Sequence, residues 1–267
     1  MTMRISIITP TYNSARFLEE TIRSVVLQRE SGVDMEYIVV DGGSTDGTMD
    51  IVRKWSGHID RFVSEPDKGP ADALNKGLRM ATGDALAWLN GDDLYHPNAL
   101  ARAIATLEKH PERALCFGHC RIVDESGVEI RRGITRFKEA FFPFSSRFTI
   151  RSINYISQPA MVFRRRAFEL AGFLREDLKA AFDYEFTLRL WRHGGAVYVP
   201  GAPLADFRWH PGSISGQGFA RQFREEFDAA AADAGRFSLP TLLHWFVRWG
   251  IVGCYTALTA RVRGQSP

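Results

Sequence analysis

The stretch that most limits what this chain can become is 85–93, Ala-Leu-Ala-Trp-Leu-Asn-Gly-Asp-Asp. A short apolar run, 85–89, stops at an Asn90-Gly91 turn, and two acids follow at once. Such a run reads as a strand buried on both faces, the kind that occupies the middle of a parallel sheet. Open α/β sheets take their ligands beyond the C-terminal ends of the strands, which is where Asp92 and Asp93 fall. Two adjacent carboxylates repel each other. A hard divalent cation that also meets phosphate oxygens relieves the repulsion. On the segment alone, the same acids serve equally well as a cap for a helix beginning near Pro97, or as solvated turn residues.

The chain before this stretch supplies the remaining strands of a parallel sheet. Segment 5–9 is a first strand, broken by Pro10-Thr11-Tyr12-Asn13-Ser14. A helix over 15–28 follows, with Phe17, Leu18, Ile22, Val25 and Val26 on one face and Asn13 or Ser14 as its cap. Segment 35–41 is a second strand ending in Asp41, followed by a Gly-rich loop over 42–47 and a helix to about 55. Segment 61–64 is a short third strand, 65–70 a turn and 71–80 a helix. Strands alternating with helices at this spacing require right-handed parallel crossovers. Asp41 therefore shares a sheet edge with Thr9 and Asp92, where an acid can accept hydrogen bonds from a base or ribose. The loop after Asp41 lacks G-x-G-x-x-G and is not a Walker A loop, which disfavours dinucleotide and P-loop chemistry. Lys68 is placed either to meet a phosphate or to be a solvated turn lysine.

Length and composition then narrow the class. The 267 residues fit one large domain or a domain with an appendage. A formal net charge of +3 is too small to argue for nucleic acid but suits an anionic ligand or an anionic membrane face. Three cysteines, Cys116, Cys120 and Cys254, are few and odd in number, as expected of reduced thiols in a cytoplasmic protein. Cys116 and Cys120 have no second pair at zinc spacing. The N-terminus has no signal-peptide pattern.

Four elements in register carry a more specific signal. They are Ile-Ile-Thr-Pro-Thr-Tyr-Asn from Ile7, Val-Val-Asp-Gly-Gly-Ser-Thr-Asp-Gly-Thr from Val39, Glu-Pro-Asp-Lys-Gly from Glu65, and Asn-Gly-Asp-Asp from Asn90. In residue type and spacing they resemble family 2 glycosyltransferases of the GT-A fold, over roughly residues 4–215. The resemblance implies a Rossmann-like α/β domain, 1–215, with a nucleotide-binding half (1–97) and an acceptor-binding half (98–215), followed by a helical extension (216–267). It implies a UDP-, GDP- or TDP-sugar donor. Thr9, Pro10 and Tyr12 would hold base and ribose, Asp41 the base edge, and Asp67 and Lys68 the ribose and phosphates. Asn90, Gly91 and Asp92 would line the diphosphate, and Asp92 and Asp93 would bind Mn2+ or Mg2+. Many relatives carry Asp where this chain has Asn90, so the metal rests on the latter two acids, with the direct ligand between them open.

In the second half, 98–110 reads as an amphipathic helix, 115–123 as a strand, 124–127 as a turn and 128–132 as a returning strand. His119, with no acidic partner nearby in sequence, reads as structural. Segment 133–157, where arginines and Lys138 alternate with five phenylalanines, reads as an irregular segment shaping the acceptor side, packed on the core by its Phe residues or approaching lipid headgroups. A strand over 156–163 and a short helix over 164–171 follow, then Phe182-Asp183-Tyr184-Glu185-Phe186 opens another helix. An acid there is often only a cap. By resemblance Asp183 is the catalytic base, with Glu185 the nearby alternative. His210-Pro211-Gly212-Ser213 is similar to the family's His-x-Gly-Ser segment, and the resemblance implies that His210 and Ser213 would reach the diphosphate or metal, although a lone His is commonly structural. The tail is a charged, Ala-rich helix from 217 to about 234 and an aromatic run over 239–258 flanked by Arg261 and Arg263. It reads as an interfacial helix on a membrane surface, with packing on the domain or on a second subunit of a homodimer as the alternative.

The expected function is metal-dependent, inverting transfer of a sugar to a hydroxyl of a glycan or lipid-linked acceptor in cell-envelope biosynthesis. The expected site is the cytoplasm, peripheral to the membrane's inner face. A non-catalytic nucleotide-sugar or glycan binder is the alternative, disfavoured by the intact set Asp41, Asp92, Asp93 and Asp183. A sugar-phosphate nucleotidyltransferase would need a Gly- and Arg-rich loop after the first strand, and Pro10-Thr11-Tyr12-Asn13 is not one.

Overall fold

The computed structural model describes residues 3–213, 216, 219–247 and 249. Cys254, Arg261, Arg263 and most of the aromatic tail lie outside the described residues. The strands are β1 (Ile5–Thr11), β2 (Met35–Asp41), β3 (Arg61–Ser64), β4 (Ala85–Trp88), β5 (Leu94–Tyr95), β6 (Leu115–Gly118), β7 (Cys120–Val123), β8 (Glu129–Ile130), β9 (Met161–Arg164), β10 (Ala196–Val199) and β11 (Ala205–Arg208). The helices are α1 (Leu18–Val26), α2 (Thr48–Lys54), α3 (Pro70–Met80), α4 (Ala99–Lys109), α5 (Arg132–Glu139), α6 (Arg147–Ser152), α7 (Arg165–Ala171), α8 (Phe182–Trp191) and α9 (Phe219–Ala234).

The main sheet has seven strands in the order β10-β6-β9-β4-β1-β2-β3, with β9 antiparallel to both neighbours and the other pairs parallel. Its central strands are buried residue by residue because both faces are covered. Successive side chains alternate between two cores. Ile8, Ile38, Val40 and Trp88 face α3 and α8, while Ile7, Val39 and Ala87 face α1 and α4. Gly77 of α3 lies directly on Ile8, where a Cβ would come within 2.4 Å of its methyl carbon, so the helix sits close on the sheet. Strands from both halves enter this one sheet. A second sheet, β5-β11-β7-β8, stands beside it. There Asp206 of β11 binds Arg121 of β7 through two contacts of 2.7 and 2.6 Å and His96 at 2.8 Å, which fixes β11 beside the end of β4.

Three local readings change. The first helix begins at Leu18 rather than near 15, because the backbone amides of 13–15 are taken by the neighbouring 44–48 loop instead of a helical turn. Segment 133–157 is not irregular: it holds α5, α6 and a 3₁₀ turn, Phe142–Phe144. Its Phe residues divide, with Phe142 buried and Phe137, Phe144 and Phe148 exposed. His119 does have an acidic partner, Glu139 of α5 at 2.6 Å, and also contacts the Tyr198 hydroxyl. Cys116 and Cys120 are free and buried; burial pushes the Cys116 thiol up to about 12, so it stays a neutral core residue.

Among the described residues no helix is long and apolar enough to cross a membrane. After α9, Gly235 adopts φ 93° and a further helix runs over 239–247. It docks through Thr241 and His244, whose Nδ1 lies 3.1 Å from the Arg151 carbonyl, and exposes Leu239, Leu242, Trp245 and Phe246.

Candidate active site

The ends of β1 and β2 are sewn together by their loops. Asn13, held at φ 48°, donates its amide to Ser44 Oγ and accepts at Oδ1 from the Thr45 amide. The Ser14 amide donates to Thr48 Oγ1 and the Ala15 amide to Asp46 Oδ2. Asp41, almost fully buried, organises the loop after β2: its Oδ2 accepts from the Gly43 and Ser44 amides at 3.1 and 3.0 Å and from Ser64 Oγ at 2.6 Å. Gly42 is glycine for a steric reason, since a Cβ there would meet the Asp67 carboxylate at 2.3 Å. Asp67, in the turn before α3, thus packs against the loop that Asp41 shapes, and its Oδ1 accepts from the Gly69 amide at 2.8 Å. Thr9 and Pro10 are buried, with Thr9 Oγ1 taken by the Tyr37 hydroxyl, whereas Tyr12 is 62% exposed at the edge of this surface. Lys68 is exposed.

The turn after β4 meets the end of β11. Asp93, which the sequence paired with Asp92, is fully buried; its Oδ1 accepts from the Arg208 amide at 2.9 Å and its Oδ2 from Asn90 Nδ2 at 3.0 Å. Burial and the adjacent Asp92 carboxylate push the Asp93 carboxyl well above the usual range. Asp92 instead faces His210, whose Nε2 lies 3.0 Å from Asp92 Oδ2. The imidazole rests on Phe17, ring centroids 5.2 Å apart. Ser213 turns inward, donating to the His210 carbonyl at 2.7 Å and shaping the turn under the ring. Gly91 permits the close approach of this turn to β1, since a Cβ there would lie 3.1 Å from Thr11 Oγ1, a buried hydroxyl without a partner among the described residues.

Two ligand atoms each about 2.1 Å from an octahedral cation and at right angles to one another lie about 3.0 Å apart. The Asp92–His210 separation therefore suits two ligands of one ion, and carboxylate with imidazole is an acceptable donor set for manganese. Among the described residues no group of three His, Cys, Asp or Glu side chains gathers at a metal-sized spacing. Asp92 and His210 are the two side chains that could serve as the protein's share of such a shell.

Asp183 stands in the first turn of α8 and accepts from the Tyr184 amide at 2.7 Å. Burial, with a smaller push from Glu226, raises its carboxyl to about 6, against the pull of the Tyr184 amide and the Lys138 ammonium. Glu185 is committed elsewhere, gripped by Arg189 one turn on at 2.8 Å. The core sets α8 in place: Phe186 packs on Trp88 of β4, centroids 5.9 Å apart. Sequence reasoning did not single out Phe17, Lys138 or Glu226. Phe17 was visible only as one apolar residue among several, and the two charged residues sit in segments whose pattern gives no hint of burial.

The fold is shared with solved glycosyltransferases. The structure superposes on Staphylococcus aureus TarS 1–349 in complex with UDP-GlcNAc with a TM-score of 0.67 at 20% identity, over 87% of this chain and 66% of that one. It superposes on the mannosyltransferase PcManGT of Pyrobaculum calidifontis, in complex with GDP-Man and Mn2+, with a TM-score of 0.68 at 21% identity, over 100% of this chain and 77% of that one. The architecture is that of the GT-A glycosyltransferases. In sequence, residues 6–171 match the description "Glycosyl transferase family 2", and the chain belongs to that family. A PGL/p-HBAD biosynthesis glycosyltransferase of Mycobacterium bovis (strain BCG / Pasteur 1173P2) is 31% identical over 196 residues, 72% of this chain and 71% of that protein. The poly(ribitol-phosphate) beta-N-acetylglucosaminyltransferase TarS of Staphylococcus aureus (strain Mu50 / ATCC 700699) is 29% identical over 203 residues, 74% of this chain. The match to TarS spans about a third, 34%, of that longer protein.

Proposed function

We propose that the protein is an inverting glycosyltransferase that moves a sugar from a nucleotide-diphospho-sugar to a hydroxyl of a cell-envelope polymer or glycolipid. The observation that carries this reading is that the fold holds both a half-buried carboxyl raised to about 6, Asp183 at the entrance of α8, and an Asp92–His210 contact at the end of the central strand. Tyr12 and the Asp41–Asp67 surface receive base and ribose. Asp92 and His210 would hold a divalent cation, which would supply charge neutralisation on the leaving diphosphate. Asp93 supports that turn from beneath rather than ligating. Asp183 accepts the acceptor's hydroxyl proton as its oxygen bonds to the anomeric carbon and the bond to the diphosphate breaks. With one base and no enzyme nucleophile positioned beside it among the described residues, the anomeric configuration inverts. The relatives point to the acceptor class, since one is named for poly(ribitol-phosphate) and another for PGL/p-HBAD biosynthesis. The neighbours' ligands, UDP-GlcNAc and GDP-Man, point to the donors to try first.

The test is a thermal-shift series with UDP-GlcNAc, GDP-mannose and a TDP-sugar, each with and without Mn2+ or Mg2+. It is followed by nucleoside diphosphate release with octyl glycosides as hydroxyl acceptors. One donor is expected to raise the melting temperature, more so with metal. Asp92→Ala and His210→Ala are expected to abolish the metal-dependent part. A metal-dependent shift that survives both substitutions rejects this metal site. The exposed Trp245, Phe246 and Leu242 face suits the headgroup level of an anionic membrane. Co-sedimentation with phosphatidylglycerol-containing vesicles tests that contact, and a dimer in the absence of lipid would assign the face to a second copy.

A further inference from the structure

Asp183 is reached through a loop, 172–181, that is pinned from two directions. On the donor side, Asn75 of α3 binds the Leu174 backbone twice, Nδ2 donating to the carbonyl and Oδ1 accepting from the amide, each at 2.9 Å. The Lys179 ammonium donates to the Lys68 carbonyl at 3.1 Å and to the Glu176 carbonyl at 3.2 Å, tying this loop to the turn that carries Asp67. On the other side stands α9. Its Glu225 carboxylate accepts from three consecutive backbone amides, Lys179 at 3.1 Å, Ala180 at 2.8 Å and Ala181 at 3.0 Å. Ala181 is the residue that opens α8, and it offers no side-chain cap of its own. An anion at a helix entrance satisfies orphan amides and meets the positive end of the helix dipole.

We propose that Glu225 is a positioning residue for Asp183: the extension helix supplies the anion that fixes the entrance of α8 and hence the base's place against the donor. This rests on the reading of Asp183 as the base. The role is separable from the docking of α9. Asp233 receives Arg151 and Arg192, and Glu226 receives Asn154 at 3.1 Å, so α9 keeps its seat without Glu225. A base displaced by about 1 Å costs on the order of 100-fold in rate, while the donor surface is built from other elements.

The test compares Glu225→Ala, Glu225→Gln and Asp183→Asn in the full chain, with the donor and octyl glycoside assay above. Glu225→Ala is expected to lower kcat about 10- to 100-fold, leave donor KM and the donor-induced thermal shift unchanged, and speed hydrogen exchange at amides 179–184. Glu225→Gln, which keeps an acceptor oxygen, is expected to recover part of the loss and carries the test should Glu225→Ala not fold. In an Asp183→Asn background, Glu225→Ala is expected to cost nothing further, because residues that act as a unit are not additive. Wild-type kcat or unchanged exchange in Glu225→Ala, an equal loss in the Asp183→Asn background, or lost donor binding each overturns the proposal. Near-normal turnover in Asp183→Asn rejects the base reading itself, whereas a silent Glu225 beside an essential Asp183 rejects only the positioning role.

Discussion

The two sides of the site are built in different ways. On the donor side, the ties that shape the loops after β1 and β2 join successive strand–loop units: Asn13 to Ser44 and Asp41 to Ser64 span 31 and 23 residues. On the acceptor side, the ties are remote: Lys179 to Lys68 spans 111 residues, Asn75 to Leu174 spans 99, and Arg151 to Asp233 spans 82. The donor surface is thus a product of two consecutive strand–helix crossovers, held largely by side chains satisfying loop amides. The acceptor side is a meeting of distant elements, several carrying charge. Damage to the first should remove binding and stability together. Damage to the second should remove chemistry and leave the donor bound.

Asp183→Asn is the strongest test of that contrast. Loss of the base is expected to lower turnover about 10²- to 10⁴-fold while the donor-induced thermal shift persists. The same variant carries a stability signature of definite sign. Burial holds the folded carboxyl at about 6, above its ordinary 3.8. A raised carboxyl stabilises the fold fully below pH 4 and loses that contribution as pH rises through 6. Asparagine keeps the shape and the Tyr184 contact without ionising. Asp183→Asn is therefore expected to be more stable than the parent at pH 7, by about 1–3 kcal/mol, and close to it at pH 4. Thermal denaturation at the two pH values checks this. A variant less stable at pH 7 would mean that burial does not dominate the site.

On the donor side the matching substitution is Asp41→Ala. It strips the acceptor from the Gly43 and Ser44 amides and from the Ser64 hydroxyl. Part-buried donors left unpaired cost up to about 1–3 kcal/mol, and the loop that carries the contacts to Asn13 loses its anchor. A drop in melting temperature and loss of the donor-induced shift are expected together. A variant that loses turnover but keeps both would erase the distinction between the two sides.

The same contrast decides what the sequence discloses. β1, β2 and β4 announce themselves because a strand buried on both faces is a continuous apolar run, and the turns after them carry Gly, Asn and Asp at short spacing. The roles of Asp92 and Asp93 were not separable, because the turn at Asn90-Gly91, not residue type, decides which acid points inward to the Arg208 amide. Ser213 lies in a legible motif, yet the turn directs its hydroxyl to the His210 carbonyl. Glu139 beside His119, and Glu225 under the α8 entrance, gave no signal at all. A carboxylate in a charged or alanine-rich helix looks solvated until a partner from another part of the chain is placed against it. α5 and α6 were hidden for a related reason, since basic residues interleaved with Phe obscure helical periodicity where packing, not pattern, selects the buried ring.

The finest effect concerns how the remote charges set the base. Lys138 of α5 and Glu226 of α9 act on Asp183 with opposite sign, the carboxylate raising and the ammonium lowering its carboxyl, while Glu185 on its own helix is neutralised by Arg189. Glu226→Gln removes the upward push. The acid limb of the kcat/KM profile, which reports the essential base of the free enzyme, is then expected to move down by about half a unit to one unit. Lys138→Met is expected to move it up. Because burial is the larger cause, neither substitution should bring the limb back to an ordinary aspartate. If both variants shift the limb in the same direction, the change comes from altered burial rather than charge, and the acceptor side is less an electrostatic assembly than its ties across the chain indicate.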